Sequence, residues 1–207
     1  MKIAIIGATG FVGSGILSEA LSRGHDVTGI VQDPNKLPSN EKLTPAKADV
    51  RDTEALKSLI AGHDVVISAF NPGKDEDGTG RRSIIEAVKA SHVERLIVVG
   101  GAGSLEVAPG QRLVDQPGFP AEWKDGSLKT AAFLDDLRGE KDLNWTFLCP
   151  AAHLEPGQRT GQYRVGGDQL LTGADGQSRI SIPDYAAALL DEVEKPRHPR
   201  ARFSVAY

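Results

Sequence analysis

Residues 2–13 read Lys2-Ile-Ala-Ile-Ile-Gly7-Ala-Thr-Gly10-Phe-Val-Gly13, a short apolar run followed by three glycines at regular spacing. Ile3 to Ile6 is β-branched except for Ala4, the composition of a parallel strand buried on both faces, and the strand stops at Gly7. From Phe11 onward Val12, Ile16, Leu17, Ala20 and Leu21 recur at helical steps, and Arg23-Gly24 closes the segment with a cation and a C-cap glycine. Between strand and helix, the glycines have separable tasks. The first permits the tight turn, the second lets backbone approach a pyrophosphate, and the third lets the helix pack closely on the strand. The helix start adds free N–H groups and partial positive charge. The competing reading is a glycine turn with no ligand; the strand before and the helix after favour a dinucleotide cradle.

Outward from this unit the same alternation continues. Val27 to Val31 is a strand ended by Asp33-Pro34-Asn35. A short strand follows near Leu43 to Ala48, then a helix over Thr53 to Ala61 and a strand over Asp64 to Phe70. A polar loop from Asn71 to Gly80 leads to a helix over Arg81 to Ala90 and a strand over Arg95 to Gly100. Strands alternating with helices predict an α/β fold, a Rossmann-like doubly wound and mostly parallel sheet with right-handed crossovers. Ala102 to Gly126 is rich in proline and glycine and has no clean period, which is expected of a functional loop or lid. Beyond it, a helix over Leu128 to Arg138, a strand over Trp145 to Cys149, a helix over Pro183 to Glu194 and a last strand over Arg202 to Tyr207 complete the pattern. No linker divides residues 1–207, so a single domain with a small C-terminal, substrate-side portion is expected.

Composition narrows the function classes. With 207 residues, 40% apolar and 25% charged, the chain has enough apolar material for one sizeable core. A net charge of −4 offers nothing to nucleic acid or an anionic membrane, so the expected partner is a small molecule, with the oligomeric state left open. The one cysteine, Cys149, reads as a buried small hydrophobe, and no cluster has metal-ligand spacing, so no metal is expected. There is no secretory h-region and no apolar run of about 18 residues, which makes a reducing, cytoplasmic location the expectation.

The glycine loop, together with Gly24-His-Asp-Val27, Val31-Gln-Asp-Pro34, Ala48-Asp-Val50, Val65-Val-Ile-Ser-Ala69 and Val98-Val-Gly-Gly-Ala-Gly-Ser104, resembles the short-chain dehydrogenase/reductase superfamily. It is most similar to the atypical NAD(P)H-binding, NmrA-like branch, which includes candidate NADH-flavin reductases and biliverdin-IXβ reductase. Trp145-Thr-Phe-Leu-Cys-Pro150 and Pro156-Gly-Gln-Arg-Thr-Gly161 are similar to the flavin-reductase-like group in particular.

The resemblance implies NADP or NAD as cofactor. It places Gly7, Thr9, Gly10, Phe11, Val12 and Gly13 at the diphosphate, Asp49 and Val50 beside the adenine, and Ala69, Phe70 and Asn71 along the ribose and diphosphate. Gly100 and Gly101 follow at the end of the fifth strand. Gln32 stands where reductases of this branch often carry an arginine for the 2′-phosphate of NADP, and an amide lacks that charge-assisted fork. Asp33 can serve the ribose of NAD or act as plain turn chemistry, whereas Lys36 can supply the missing charge; the branch as a whole tilts the choice to NADP.

The superfamily's carbonyl reductases use a Tyr-x-x-x-Lys pair, but none of Tyr163, Tyr185 and Tyr207 has lysine four residues on. A flavin needs no such dyad, because its ring accepts hydride directly and delocalises the charge. The resemblance therefore implies an NAD(P)H-dependent reductase acting on a flavin, FMN or FAD as substrate, or on another planar conjugated acceptor. The rivals are a non-catalytic NmrA-like redox sensor and, disfavoured by the missing dyad, an epimerase or isomerase. Ser104 occupies the superfamily's catalytic-serine place, with a local turn role as the alternative, and His153 matches a histidine of biliverdin-IXβ reductase, with a surface role as the alternative. Trp123 and Lys124 in the loose stretch are candidates to stack on and neutralise a substrate, and Arg159 and Arg164 are further anion-binding candidates. For each of these four the bland alternative is a core-capping aromatic or a solvated cation.

Overall fold

The computed structural model describes residues 1–207. In chain order the elements are β1 (Lys2–Ile6), α1 (Gly13–Ser22), β2 (Asp26–Val31), β3 (Leu43–Lys47), α2 (Thr53–Ile60), β4 (Val65–Ser68), α3 (Thr79–Ser91) and β5 (Arg95–Val99). A small hairpin, β6 (Glu106–Ala108) and β7 (Gln111–Arg112), precedes α4 (Ala121–Gly139) and β8 (Asn144–Cys149). Then come β9 (His153–Glu155), β10 (Arg164–Gly166), β11 (Arg179–Ser181), α5 (Ile182–Glu194) and β12 (Ala201–Ala206).

The main sheet has the order β10-β12-β8-β5-β4-β1-β2-β3. Its pairs are parallel except at one edge, where β10 runs antiparallel to β12. From β1 the chain builds outward through β2 and β3, then returns to the other side of β1 with β4. The order therefore reverses between β1 and β4, and in such sheets the crevice for a ligand opens above that switch point, at the strands' carboxyl ends.

Strand alternation feeds two cores. Ile3, Ile5 and Ile67 point to the layer of α1 and α5, with Ile16, Leu189 and Tyr185. Ala4, Ile6 and Val66 point to the layer of α2, α3 and α4, with Leu56, Ile84 and Phe133. Burial on both faces is why these strands read as continuous apolar runs.

The stretch expected to be structureless is largely ordered by secondary structure. A hairpin fills residues 106–112, and α4 begins at Ala121 rather than near Leu128, so Trp123 and Lys124 are helical residues and not part of a loose lid. The early turns of α4 carry no buried stripe, since residues 121–125 are exposed, and Gly126 interrupts the pattern. Without an apolar period there was no helical signal to read.

The final third is tied to α1 and α5 by polar contacts. Arg159 pairs with Glu19 at 2.8 Å. The Asp184 carboxylate accepts from the N–H groups of Thr160 (2.9 Å) and Gly161 (2.8 Å) and from the hydroxyl of Tyr207 (2.7 Å). Burial pushes that carboxyl up, but the hydrogen bonds from Thr160 and Tyr207 outweigh it and hold it below the ordinary range.

At the amino ends of the strands lies a buried ion pair, Arg95 to Glu192 at 2.7 Å. Arg95 also donates to the Glu192 carbonyl (2.8 Å), and Glu192 accepts from the Arg197 and His198 N–H groups, each at 3.0 Å. The guanidinium thus closes the end of α5 onto β5. Glu192→Ala leaves that cation buried and unpaired, so the unfolding free energy should fall by about 3–5 kcal/mol. Urea titration with an unchanged slope checks this, and a midpoint equal to that of the parent chain would refute it.

Candidate functional site

The glycine turn is built by close approach. Gly7 has φ +82°, and a Cβ there would lie 2.8 Å from the Ala69 carbonyl oxygen. A Cβ on Gly13 would sit 2.1 Å from the Gly7 carbonyl oxygen, closer than atoms can come. Only glycine lets α1 start this near to β1 and β4. The N-cap residue, Val12, has no side chain to cap the helix, and the first turn holds no acid. The backbone N–H groups of Phe11 and Val12 donate to no protein acceptor. These are the unsatisfied donors that a diphosphate fits.

A crevice of about 490 Å³ opens at this turn, over the switch point. Gly7, Thr9 and Gly10 line it from the turn; Gln32 and Lys36 line it after β2. Asp49 and Val50 contribute the wall after β3, and Ala69, Phe70 and Asn71 the wall after β4. Phe11, Val12 and Gly13 belong to the turn but do not line this space, and Gly100 and Gly101 lie farther along, at the end of β5.

Two candidate polar residues have local partners. Asp33 accepts from Asn35 N–H at 3.2 Å and Asn35 Nδ2 at 3.1 Å, which is turn chemistry, and Asp49 accepts from Arg51 N–H at 2.9 Å. Lys36 is exposed and also faces a furrow of about 420 Å³ along α1, with Thr9, Ser14 and Asn40.

The crevice holds residues that the sequence reading missed. Arg51 is half exposed and only loosely paired, 3.7 Å from Asp75. Asp75 is buried and caps α3 by accepting from Gly80 and Arg81 N–H, each at 3.1 Å. Lys74 lines the same wall. Arg51 follows directly on Asp49-Val50, a position that could have flagged it. Lys74 and Asp75 were unremarkable members of a polar loop.

Beside this crevice, over β5 and β8, is a second cavity of about 690 Å³. One wall comes from residues 102–127 and includes Leu113, Phe119, Pro120 and Trp123; the other is residues 150–155, including His153 and Leu154. The structure brings Trp123 and His153 to one space. Lys124, Arg159 and Arg164 do not line it. Lys124 is exposed on α4, Arg159 is held by Glu19, and Arg164 donates to the backbone carbonyls of Thr172 and Tyr207 at the sheet edge.

Ser104 is also turned away. Its hydroxyl donates to the Gly101 carbonyl at 3.0 Å and meets Cys149 Sγ at 3.5 Å, inside the core. That is the local role the sequence left open for it. The tyrosines are equally engaged: Tyr185 is buried and donates to the Leu148 carbonyl at 2.7 Å, Tyr163 donates to Asp191, and Tyr207 to Asp184. Lys129 pairs with Asp125, four residues before it, at 2.8 Å. No group of histidine, cysteine and carboxylate side chains could hold a metal ion, and no helix is long and apolar enough to cross a membrane.

Comparison with known proteins bears on this geometry. A family model described as NAD(P)H-binding matches residues 7–194. The uncharacterized protein YwnB of Bacillus subtilis is 43% identical over 211 residues, spanning 99% of this chain and 98% of that protein. A crystal structure from Bacteroides thetaiotaomicron, described as a candidate epimerase, superposes with a TM-score of 0.96 at 46% identity, covering 100% of this chain and 96% of that one. A Streptococcus pneumoniae structure, described as a candidate NADH-flavin reductase, superposes with a TM-score of 0.87 at 39% identity, covering 100% and 99%.

Burial pushes the Cys149 thiol up to about 11, so it is un-ionised at any physiological pH. Iodoacetamide at pH 8 should leave the native protein unmodified and label it stoichiometrically in urea. Rapid labelling of the folded chain, followed by mass spectrometry, would show the burial to be wrong.

Proposed function

The chain belongs to this NAD(P)H-binding family, and on that premise we propose that it is a reductase, passing hydride from NAD(P)H to a flavin or another planar conjugated acceptor. The observation that carries the reading is the adjacency of two unlike spaces along the carboxyl edge of one sheet. One has a glycine turn with free N–H donors; the other is walled by Phe119, Trp123, Pro120 and Leu154. A reduced nicotinamide supplies two electrons and one proton as hydride. An oxidised flavin takes that hydride and one further proton from solvent or a side chain, so the redox and proton balance closes.

In this reading the side chains bind and orient. The diphosphate lies against the glycine turn, where Gly7, Thr9 and Gly10 line the crevice and the open N–H groups of Phe11 and Val12 follow on the same turn, and Ala69 and Phe70 set the depth at which the cofactor lies. Trp123 and Phe119 keep an aromatic acceptor flat and exclude water, which is most of what hydride transfer between two rings requires. His153, on the cavity wall, can hold a proton near the acceptor's edge. Ser104 has no part, since its hydroxyl faces the core.

The cations on the adenosine side, Lys36 and Arg51, support NADP(H) over NAD(H). Asp33, the residue that would favour NAD, is engaged by Asn35 through Oδ1 alone and still lines the crevice, so the preference rests on the two cations. Epimerase chemistry of the tyrosine-dependent kind is not supported, because each tyrosine hydroxyl is hydrogen-bonded away from the cavity.

Following the nicotinamide absorbance after mixing the protein with NADPH and riboflavin, FMN or a quinone tests the reading, and turnover with at least one acceptor is expected. Binding of NADPH with no turnover of any acceptor would overturn it in favour of a redox sensor. Lys36→Ala and Arg51→Ala should each weaken NADPH binding about tenfold, ~1.4 kcal/mol, and leave NADH unchanged. Equal losses for both nucleotides would remove the proposed 2′-phosphate contact.

A further inference from the structure

The charge around the acceptor cavity narrows what it takes. Its titratable side chains are His153 and Glu155, and its other polar side chains, Ser127 and Gln116, are neutral; no lysine or arginine lines it. The cations on neighbouring segments are held or turned away. Arg112 forks onto Asp115 at 2.7 and 3.1 Å, and Arg202 pairs with Asp168 at 2.6 Å. Lys129 is paired with Asp125 and reaches the Gly73 carbonyl on the crevice side, while Lys124 points to solvent from α4. Arg159 is bound to Glu19.

The amino end of α4 forms part of the wall and would by itself attract an anion. Glu122 stands in its first turn, however, so that end is already supplied with a negative charge, while Asp125 is neutralised by Lys129. Glu155 is exposed on the opposite wall and has no cationic partner. A phosphate monoester carries about −1.5 to −2 charges at neutral pH, and proteins recognise it with arginine, lysine or open N–H groups. This cavity has no lysine or arginine on its wall and one lining carboxylate, Glu155.

We propose that the cavity selects a planar acceptor bearing no phosphate, so that riboflavin or an uncharged quinone is preferred to flavin mononucleotide, and that Glu155 is a specificity-determining residue for that choice. The inference rests on the hydride-transfer reading above and refines its substrate class. It also sets aside Lys124, Arg159 and Arg164 as anion-binding candidates, since none of them lines the cavity.

Two readouts test it on the full-length protein saturated with NADP⁺ or NADPH. Quenching of Trp123 fluorescence gives dissociation constants for riboflavin and FMN without turnover, with Trp123→Phe as the blank for Trp145. Steady-state kcat/KM with NADPH gives the catalytic preference. Riboflavin should be favoured at least tenfold in both, and the margin should shrink as salt is raised. Glu155→Lys should improve FMN at least tenfold relative to riboflavin, so that the preference is lost. FMN bound and reduced as well as riboflavin would overturn the selectivity while the reductase reading stands. Riboflavin-selective quenching with no turnover of any acceptor would overturn the reductase reading and leave the cavity's preference standing. A preference insensitive to both salt and Glu155→Lys would remove charge as its cause.

Discussion

The contact on which the architecture turns is the approach of α1 to the Gly7 carbonyl, so close that a Cβ on Gly13 would lie 2.1 Å from that oxygen. It fixes the start of the helix directly over the gap between β1 and β4. That gap is the one place in the sheet where neighbouring strands lead the chain away in opposite directions. A wider separation would bury fewer of the apolar residues of α1, Ile16 and Leu17 among them, against Ile3 and Ile5. It would also carry the free N–H groups of Phe11 and Val12 away from the crevice. Packing and ligand binding here depend on the same missing side chain.

Much of this was legible in the sequence, and the reason is locality. Strands buried on both faces announce themselves as runs such as Val65 to Ser68, and the glycine turn is a contiguous pattern whose steric logic needs no distant partner. The parallel sheet and the lining of the crevice by Gln32, Lys36, Asp49, Val50 and Phe70 follow from where strands end. What escaped were facts decided by residues far away. Arg159 reads as a free cation until the fold brings Glu19, 140 positions earlier, into contact with it. Ser104 reads as either a site hydroxyl or a local turn residue until the fold packs it against Cys149 of the neighbouring strand. The start of α4 was invisible for a different reason: its first turns face solvent and a cavity, so they carry no apolar period.

Charge is distributed unevenly between the two spaces at the sheet's carboxyl edge. Lys36, Arg51 and Lys74 stand around the crevice at the glycine turn together with Asp33, Asp49 and Asp75, whereas the second cavity is mostly apolar, with Glu155 its one lining carboxylate. In the reading proposed above, nucleotide phosphates and a neutral ring would find unlike surroundings in the two spaces.

The Arg95–Glu192 pair sits at the opposite pole of the sheet from both spaces. The cohesion it supplies is thus spatially separate from the surfaces that touch ligands. Turns and loops at the carboxyl edge can change length and chemistry over evolutionary time while the amino edge keeps the chain folded. Relatives sharing this frame are free to diverge in what they bind at that edge without first having to reinvent a stable protein.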